Sequence, residues 1–386
     1  MAQGTGTPKV IANVTNGNLL RQINITDGVA GIVATAKTAG LIGKVETVYS
    51  LDDAISKGYS ETAEPFIYEI LNEFYTELGG SCEFWILGTE DTMTMTQAVT
   101  STNNNGVKKL LTVSRGRVNL VGVLRKPSVA YVPGAGFLDT DVATAVTASK
   151  ALAEYQQSIN RPVRILIEGR VANSSVANVY TPNSATNGYA GVILGSVESN
   201  GTGAVGLALA RAVKYEAHIK IGSGENGALS ISSAYIGSRM VDEFTPTELD
   251  NFANAGFIVL HIREGISGYF FGRDNMCSDD DFRILVYGRL IDKAQSISTA
   301  TTTPFIETAV RVNPDGTVND ADATYLEETI KAQLLAQMGD QISGADVIIP
   351  IDQDLINTNT LEMTVKIQPL GYMTWIIINL GLSKTI

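Results

Sequence analysis

Cysteine and histidine are nearly missing: two of each in 386 residues. Cys82 and Cys277 have no metal-ligand spacing, and with only His218 and His261 beside them no zinc cluster suggests itself. Two buried free thiols are favoured over a single disulfide. Charge is sparse as well, with Asp, Glu, Lys and Arg making up 18% of the chain and a net charge of -12. No block of Lys or Arg is present, so the chain is not built to hold a nucleic-acid backbone. No apolar run approaches the roughly 18–20 residues of a membrane span, which argues against membrane insertion. The opening MAQGTGTPKV lacks the charged and apolar regions of a secretory signal, so synthesis and assembly in a cytoplasm are expected. No G-x-S-x-G elbow, P-loop or H-E-x-x-H exists. The expectation is a protein without catalytic residues, metal or cofactor.

What is present is apolar content enough for a sizeable core (44%) and abundant glycine (37 residues). Residues 28–36 (GVAGIVATA) read as a buried strand of small residues. Ser50 is placed to cap a helix with Asp52 and Asp53 in its first turn. Residues 65–78 put Phe66, Ile70, Leu71, Phe74 and Leu78 on one helical face and stop at Gly79-Gly80. Residues 82–87 form the next strand, 110–113 and 118–123 are short apolar runs, and 139–157 form a helix capped by Asp139 or Thr140. Strands follow at 161–168, 189–194 and 257–262, with a Ser/Asn/Thr-rich loop at 172–187 and helices at 203–213 and 246–255. A helix over 279–297 is predicted with Ser278 as its cap, in the pattern of a capping box. A last one over 321–338 carries Leu326, Ile330, Leu334 and Met338 at four-residue spacing and stops at Gly339. The alternation of strands and helices predicts an α/β body built on a mixed sheet.

The two ends of the chain read differently. Val10, Ala12 and Val14 alternate, Asn16-Gly17 marks a turn, and Leu19, Arg21, Ile23 and Ile25 follow with strand spacing. At the other end, 361–369 (LEMTVKIQP) alternates strictly, with Leu361, Met363, Val365 and Ile367 on one face; 373–382 (MTWIIINLGL) then forms a nearly uncharged run. A free sheet edge of that composition invites aggregation. It must pair either within its own domain or with a neighbouring subunit. The reading is an arm over 1–27, a body over 28–360 that admits an inserted outer subdomain around 90–260, and C-terminal strands over 361–386.

Gly201-Thr-Gly203-Ala-Val-Gly206 matches G-x-G-x-x-G, precedes a helix and has Glu225 about twenty residues on, so a nucleotide-binding α/β enzyme is the rival reading. The polar stretch 196–200 separates these glycines from the preceding strand, which favours a packing role. Asp279-Asp280-Asp281 lacks the ligand spacing of a cation loop and reads as helix N-terminal charge. His218 and His261 read as strand residues. Trp85 and Trp375 read as core or interface anchors.

In order, 28–36, then 48–53 (VYSLDD), the helix ending in Gly79-Gly80 and the strand 82–87 resemble the opening of contractile tail sheath proteins. In that family a small-residue strand leads into a TSLxDF-like element, a helix ending in glycines, and a strand. Residues 205–211 (VGLALAR) are similar to its central helix. Residues 268–271 (GYFF), 278–282 (SDDDF) and 288–293 (GRLIDK) resemble the segment leading into its C-terminal half, and 348–350 with 361–382 its terminal strands. The resemblance implies a non-enzymatic subunit of a sixfold helical homopolymer around a tail tube protein, with baseplate and tail-terminator proteins as further partners. It implies a particle of phage-tail or injection-system type and terminal arms lent as strands to neighbours. The interlocking residues are then Val10, Ile11, Val14, Trp375, Ile376, Ile377, Ile378, Leu380 and Leu382, with the last run the better candidate for donation.

Overall fold

The computed structural model of the protein describes residues 27–126, 137–171 and 180–382. The expected N-terminal strand residues Val10, Ile11 and Val14 lie outside these, as do residues 172–179 of the expected loop. In chain order the elements are β1 (Ala30–Thr35), β2 (Val45–Val48), α1 (Leu51–Ser56), α2 (Pro65–Leu78), β3 (Phe84–Thr89), α3 (Met95–Val99), α4 (Val107–Ser114), β4 (Leu120–Val123) and α5 (Thr140–Ser158). Then come β5 (Arg164–Glu168), β6 (Ala190–Leu194), α6 (Val205–Lys214), β7 (Tyr235–Ile236), β8 (Arg239–Met240), α7 (Pro246–Ala255), β9 (Ile258–Arg263) and β10 (Ile266–Phe271). The C-terminal part holds α8 (Leu285–Thr302), α9 (Asp320–Met338), β11 (Ile342–Ile348), α10 (Leu355–Thr358) and β12 (Thr364–Pro369).

The main sheet runs β10-β9-β6-β5-β4-β1-β3-β2. Its six inner strands are parallel, and β2 and β10 close the edges antiparallel. Every residue of β1, β4, β5 and β6 is buried, as a parallel sheet covered on both faces requires. The two faces can be told apart at two glycines. A Cβ on Gly122 of β4 would press into Val205 and Leu209 of α6, whereas one on Gly31 of β1 would meet Leu110 of α4. Gly122 sits in register with Ile32, the next residue after Gly31, so α6 and α4 cover opposite faces. Helix α2 packs on α6, burying Phe66, Ile67, Ile70, Leu71 and Phe74; Gly79 ends it in the left-handed conformation (φ 70), which glycine adopts without penalty.

A second core lies in the C-terminal part. Leu326, Ile330, Leu334 and Met338 of α9 pack with Val286, Leu290, Ala294 and Ile297 of α8 beneath the β11–β12 hairpin. The expected stripe over 361–369 packs inward, with Leu361 and Met363 just before β12 and Val365 and Ile367 within it all against this cluster.

Two readings are corrected, and one unassigned run finds its element. The helix expected from Asp279 begins at Leu285. Asp280 accepts from the Phe282 amide at 2.8 Å, and backbone bonds Met276–Arg283 and Leu285–Asp274 fold the stretch into a loop, so the acidic run caps a turn instead. The apolar run 110–113 belongs to α4. His218 lies in a turn after α6, whereas His261 is in β9 as expected.

Candidate assembly interface

The described chain begins at Asp27, and this residue is tied to the foot of the C-terminal hairpin. Its carboxylate accepts from Lys293 of α8 and, at 3.0 Å, from Gln341, the residue before β11. Lys293 also donates to Gln341 Oε1 at 3.1 Å. Beside them Arg289, 4% exposed, donates to the carbonyls of Ala212 (2.6 Å) and Tyr215 (3.2 Å) at the end of α6. Burial lowers its pKa to about 10, against the pull of Asp27 and Asp274. These buried cations satisfy the helix C-terminus and hold the N-terminal exit in one place.

The C-terminal exit is at the same end of the hairpin. Pro369 is in register with Ile342. Three residues on, the Tyr372 hydroxyl donates to the His218 carbonyl at 2.6 Å. Its ring lies 6.1 Å from that of Tyr287 and carries Lys220 Nζ 4.8 Å above it, a cation–π contact. Burial pushes the Tyr372 phenol well up, so it stays a donor. The two chain exits therefore share one polar node.

Beyond Tyr372 the chain leaves the surface. Residues 373–382 form no helix or strand, and Trp375, Ile376, Ile377, Ile378, Leu380 and Leu382 are each at least 73% exposed. The Arg273 guanidinium lies 5.1 Å from the Trp375 ring. Large apolar side chains strung along an extended segment signal an interaction surface. Among the described residues β11 and β12 form a two-stranded sheet, each with one unpaired edge. Such a pair is marginal until further strands or packing complete it.

The glycine-rich loop has a different use. A Cβ on Gly203 would stand 2.6 Å from the Ile193 carbonyl, and one on Gly206 2.7 Å from that of Ile70 in α2. These glycines let α6 sit tightly on sheet and helix. The position ahead of α6 where a phosphate would bind is held by the buried Glu168 carboxylate. It accepts from the amides of Arg125 (3.0 Å) and Gly203 (3.4 Å) and faces Arg170 at 3.6 Å. Burial raises its pKa to about 7, with Arg170 opposing. Among the described residues no group of three or more His, Cys, Asp and Glu is placed to hold a metal, and no helix is long and apolar enough to cross a membrane. Cys82 and Cys277 are free thiols, and burial raises the pKa of each. Trp85 is half-buried in β3 and donates to Glu83 at 2.7 Å.

Composition hid the node: Asp27, Arg289, Lys293 and Gln341 are scattered in sequence, and their pairing appears only once α8 and β11 are docked.

Among solved structures, the fold is similar to the anti-feeding prophage helical sheath in its contracted state, with TM-score 0.62 and 15% identity over 98% of this chain and 100% of that one. It is also similar to the contracted sheath complex of the extracellular contractile injection system PVC, with TM-score 0.60 and 12% identity over 99% of both chains. A sheath tail protein from Desulfitobacterium hafniense aligns with TM-score 0.53 and 11% identity over 94% of this chain and 100% of that one. The architecture, a mostly parallel mixed sheet with flanking helices, is thus that of contractile sheath proteins. None of the curated proteins matches the sequence. The family model of the DUF2586 N-terminal domain matches residues 7–275, well over half of the chain, and the chain belongs to the DUF2586 family.

Proposed function

We propose that this chain is the structural subunit of a contractile tail sheath. Copies polymerise into stacked sixfold rings around a tail tube, and the lattice tightens to drive the tube through a target envelope. The carrying observation is the coexistence, in one chain, of an exposed apolar run at 373–382 and a two-stranded β11–β12 sheet with open edges. Each needs what the other offers. In this reading a neighbour's terminal run adds a strand to the sheet, with main-chain hydrogen bonds giving affinity and alternate side chains giving register. Val10, Ile11 and Val14 act from the N-terminal arm; Trp375, Ile376, Ile377, Ile378, Leu380 and Leu382 act from the C-terminal one.

Magnitudes favour the pairing. Burying a large aliphatic side chain is worth about 1.5–3 kcal/mol, so one face of the run, Ile376, Ile378, Leu380 and Leu382, offers roughly 6–12 kcal/mol before the cost of ordering. Contacts of this kind are heterologous and build open tubes rather than closed dimers. The arms then act as hinges while α/β bodies rotate between two packings, without nucleotide or catalysis by this chain. A tube, a baseplate and a tail terminator are the further partners, in a virion tail or injection-system particle.

Negative-stain microscopy of the purified chain tests this. Tubes or ring stacks are expected from the full chain, and soluble monomers after deletion of residues 9–14 or 373–386. A full chain that stays monomeric at every concentration, or truncated chains that form the same tubes, overturns the reading.

A further inference from the structure

Charge is unevenly placed along the chain. Residues 92–138 contain six Lys and Arg and no Asp or Glu, whereas residues 303–366 contain eleven Asp and Glu against three Lys and Arg. The basic stretch centres on α4: Lys108 and Lys109 stand on the helix, and Arg115 is its C-cap. Gly116 follows, and a Cβ there would stand 2.9 Å from Cγ of Arg161. The missing side chain thus lets Arg161, just beyond α5, lie against this turn beside Arg115. Val113 and Tyr155, near the same two helix ends, are exposed. Aromatic and arginine side chains bared together have the composition of interface anchors.

Two further observations bear on these cations. Arg117 pairs with Glu83, but among the described residues the side chains of Lys108, Lys109, Arg115 and Arg161 meet no carboxylate. Glu154 is the single acidic residue in the last two turns of α5. Arg115 also holds φ 52, in the left-handed region where glycine or asparagine is the ordinary choice. An arginine kept there against that penalty points to a use for its guanidinium outside its own fold.

The chain itself supplies the partner. With a net charge of -12, identical copies repel, so a stable contact between them has to set opposite fields together. The outer side of α9 offers the opposite sign. Asp320 and Glu328 are exposed and, among the described residues, in no ion pair, and Tyr325 is exposed between them. Within one chain Arg115 and Arg161 do not reach these carboxylates, so the pairing is open to a second copy.

We infer that the Arg115–Arg161 end of α4 and α5 docks on the outer side of α9 in a second copy, with the guanidiniums against Asp320 and Glu328 and with Val113 and Tyr155 facing Tyr325. The contact rests on the sheath reading and deepens it. It joins the α/β body of one subunit to the acidic lobe of another, separately from any lent strand.

Charge reversal in the full chain tests this, with the critical concentration for assembly read by light scattering. Arg115→Glu with Arg161→Glu should raise it at least about tenfold, because like charges then face each other across the contact. Asp320→Lys with Glu328→Lys should do the same. The chain carrying all four replacements should assemble close to the parent value. All these side chains are exposed, so each melting temperature should stay within a few degrees of the parent. Arg115→Gly separates strain from contact: it should raise the melting temperature, since glycine adopts this conformation freely, and still raise the critical concentration several-fold. Reversal of the arginines that matters while reversal of the carboxylates does not, or a fourfold variant that stays defective, overturns the assignment to α9. Tubes that form equally well from every variant overturn the inference and leave the sheath reading intact. A parent chain that assembles at no concentration overturns both.

Discussion

Arg164 of β5 and Asp292 of α8 form a buried two-pronged ion pair, with Nε to Oδ2 and Nη2 to Oδ1 both 2.6 Å. Their side chains are 2% and 6% exposed. Arg164 also donates to the carbonyls of Gly188 (2.9 Å) and Gly288 (3.2 Å) and stacks 4.9 Å from the Tyr189 ring. A Cβ at Gly288 would stand 2.7 Å from the guanidinium, so that glycine makes room for it. This pair bolts the C-terminal lobe to the centre of the sheet. Removing one member strands the other charge in a dry interior. Asp292→Ala is therefore expected to lower unfolding stability by about 3–5 kcal/mol, read from urea denaturation of the unassembled chain. The double replacement Arg164→Met with Asp292→Leu should recover much of that loss, because two apolar groups leave no charge uncompensated.

Gly203 and Gly206 offer a sharp comparison between ligand binding and packing. With carbonyls of Ile193 and Ile70 standing 2.6 Å and 2.7 Å from where their Cβ atoms would lie, valine at either site must push backbone apart. Overpacking of this kind costs about 1–3 kcal/mol or more. Gly203→Val and Gly206→Val are expected to lower the melting temperature without altering any nucleotide affinity, which calorimetry should find absent in the parent chain too.

How much of this was legible beforehand depends on the range of the interaction. Local chemistry was readable: Ser50 accepts from the Asp53 amide at 3.1 Å, Pro65 opens α2 and Gly79 closes it, and Asp139 caps α5. The exposed apolar run at 373–382 could be seen because no charged residue interrupts it. The SDDDF stretch misled because its helix signals are overridden by the bridge between Asn275 and Ile284. Strand β11 was hidden by Gly344 and Asp346, which break its alternation; the hairpin with β12 supplies the order that its composition lacks. The node joining Asp27 to Gln341 spans 314 positions, and no local pattern can report a contact of that span.

Glu168 gives a pH test. Its carboxyl, fully buried and lifted from 4.5 to about 7 by desolvation, binds its proton more tightly in the folded chain than in the unfolded one. Between about pH 4.5 and 7 the folded state therefore holds more protons, and stability falls as pH rises through that window. Above about 7 the contribution is lost; below about 4.5 it is fully present. Its size is on the order of 3 kcal/mol. Glu168→Gln should flatten this slope relative to the parent, in denaturation series run from pH 4.5 to 8 at constant ionic strength. An unchanged slope would mean that Arg170 keeps the group ionised throughout.

Tyr372 sets the direction in which the C-terminal run leaves the body, and its two kinds of contact can be separated. Tyr372→Phe removes the hydrogen bond to the His218 carbonyl but keeps the ring beside Tyr287 and under Lys220. That loss is worth about 1 kcal/mol. Tyr372→Ala removes the ring as well and frees the root of the arm, so ordering it in a neighbour costs more conformational entropy. The critical concentration for assembly, followed by light scattering, should rise a few-fold for the Phe variant and at least about tenfold for Ala, the latter corresponding to about 1.4 kcal/mol. The melting temperature of the unassembled chain should fall by a few degrees for Phe, as about 1 kcal/mol implies, and further for Ala, which removes a ring packed on the second core. An Ala variant that assembles at the parent concentration would show that the arm needs no fixed root.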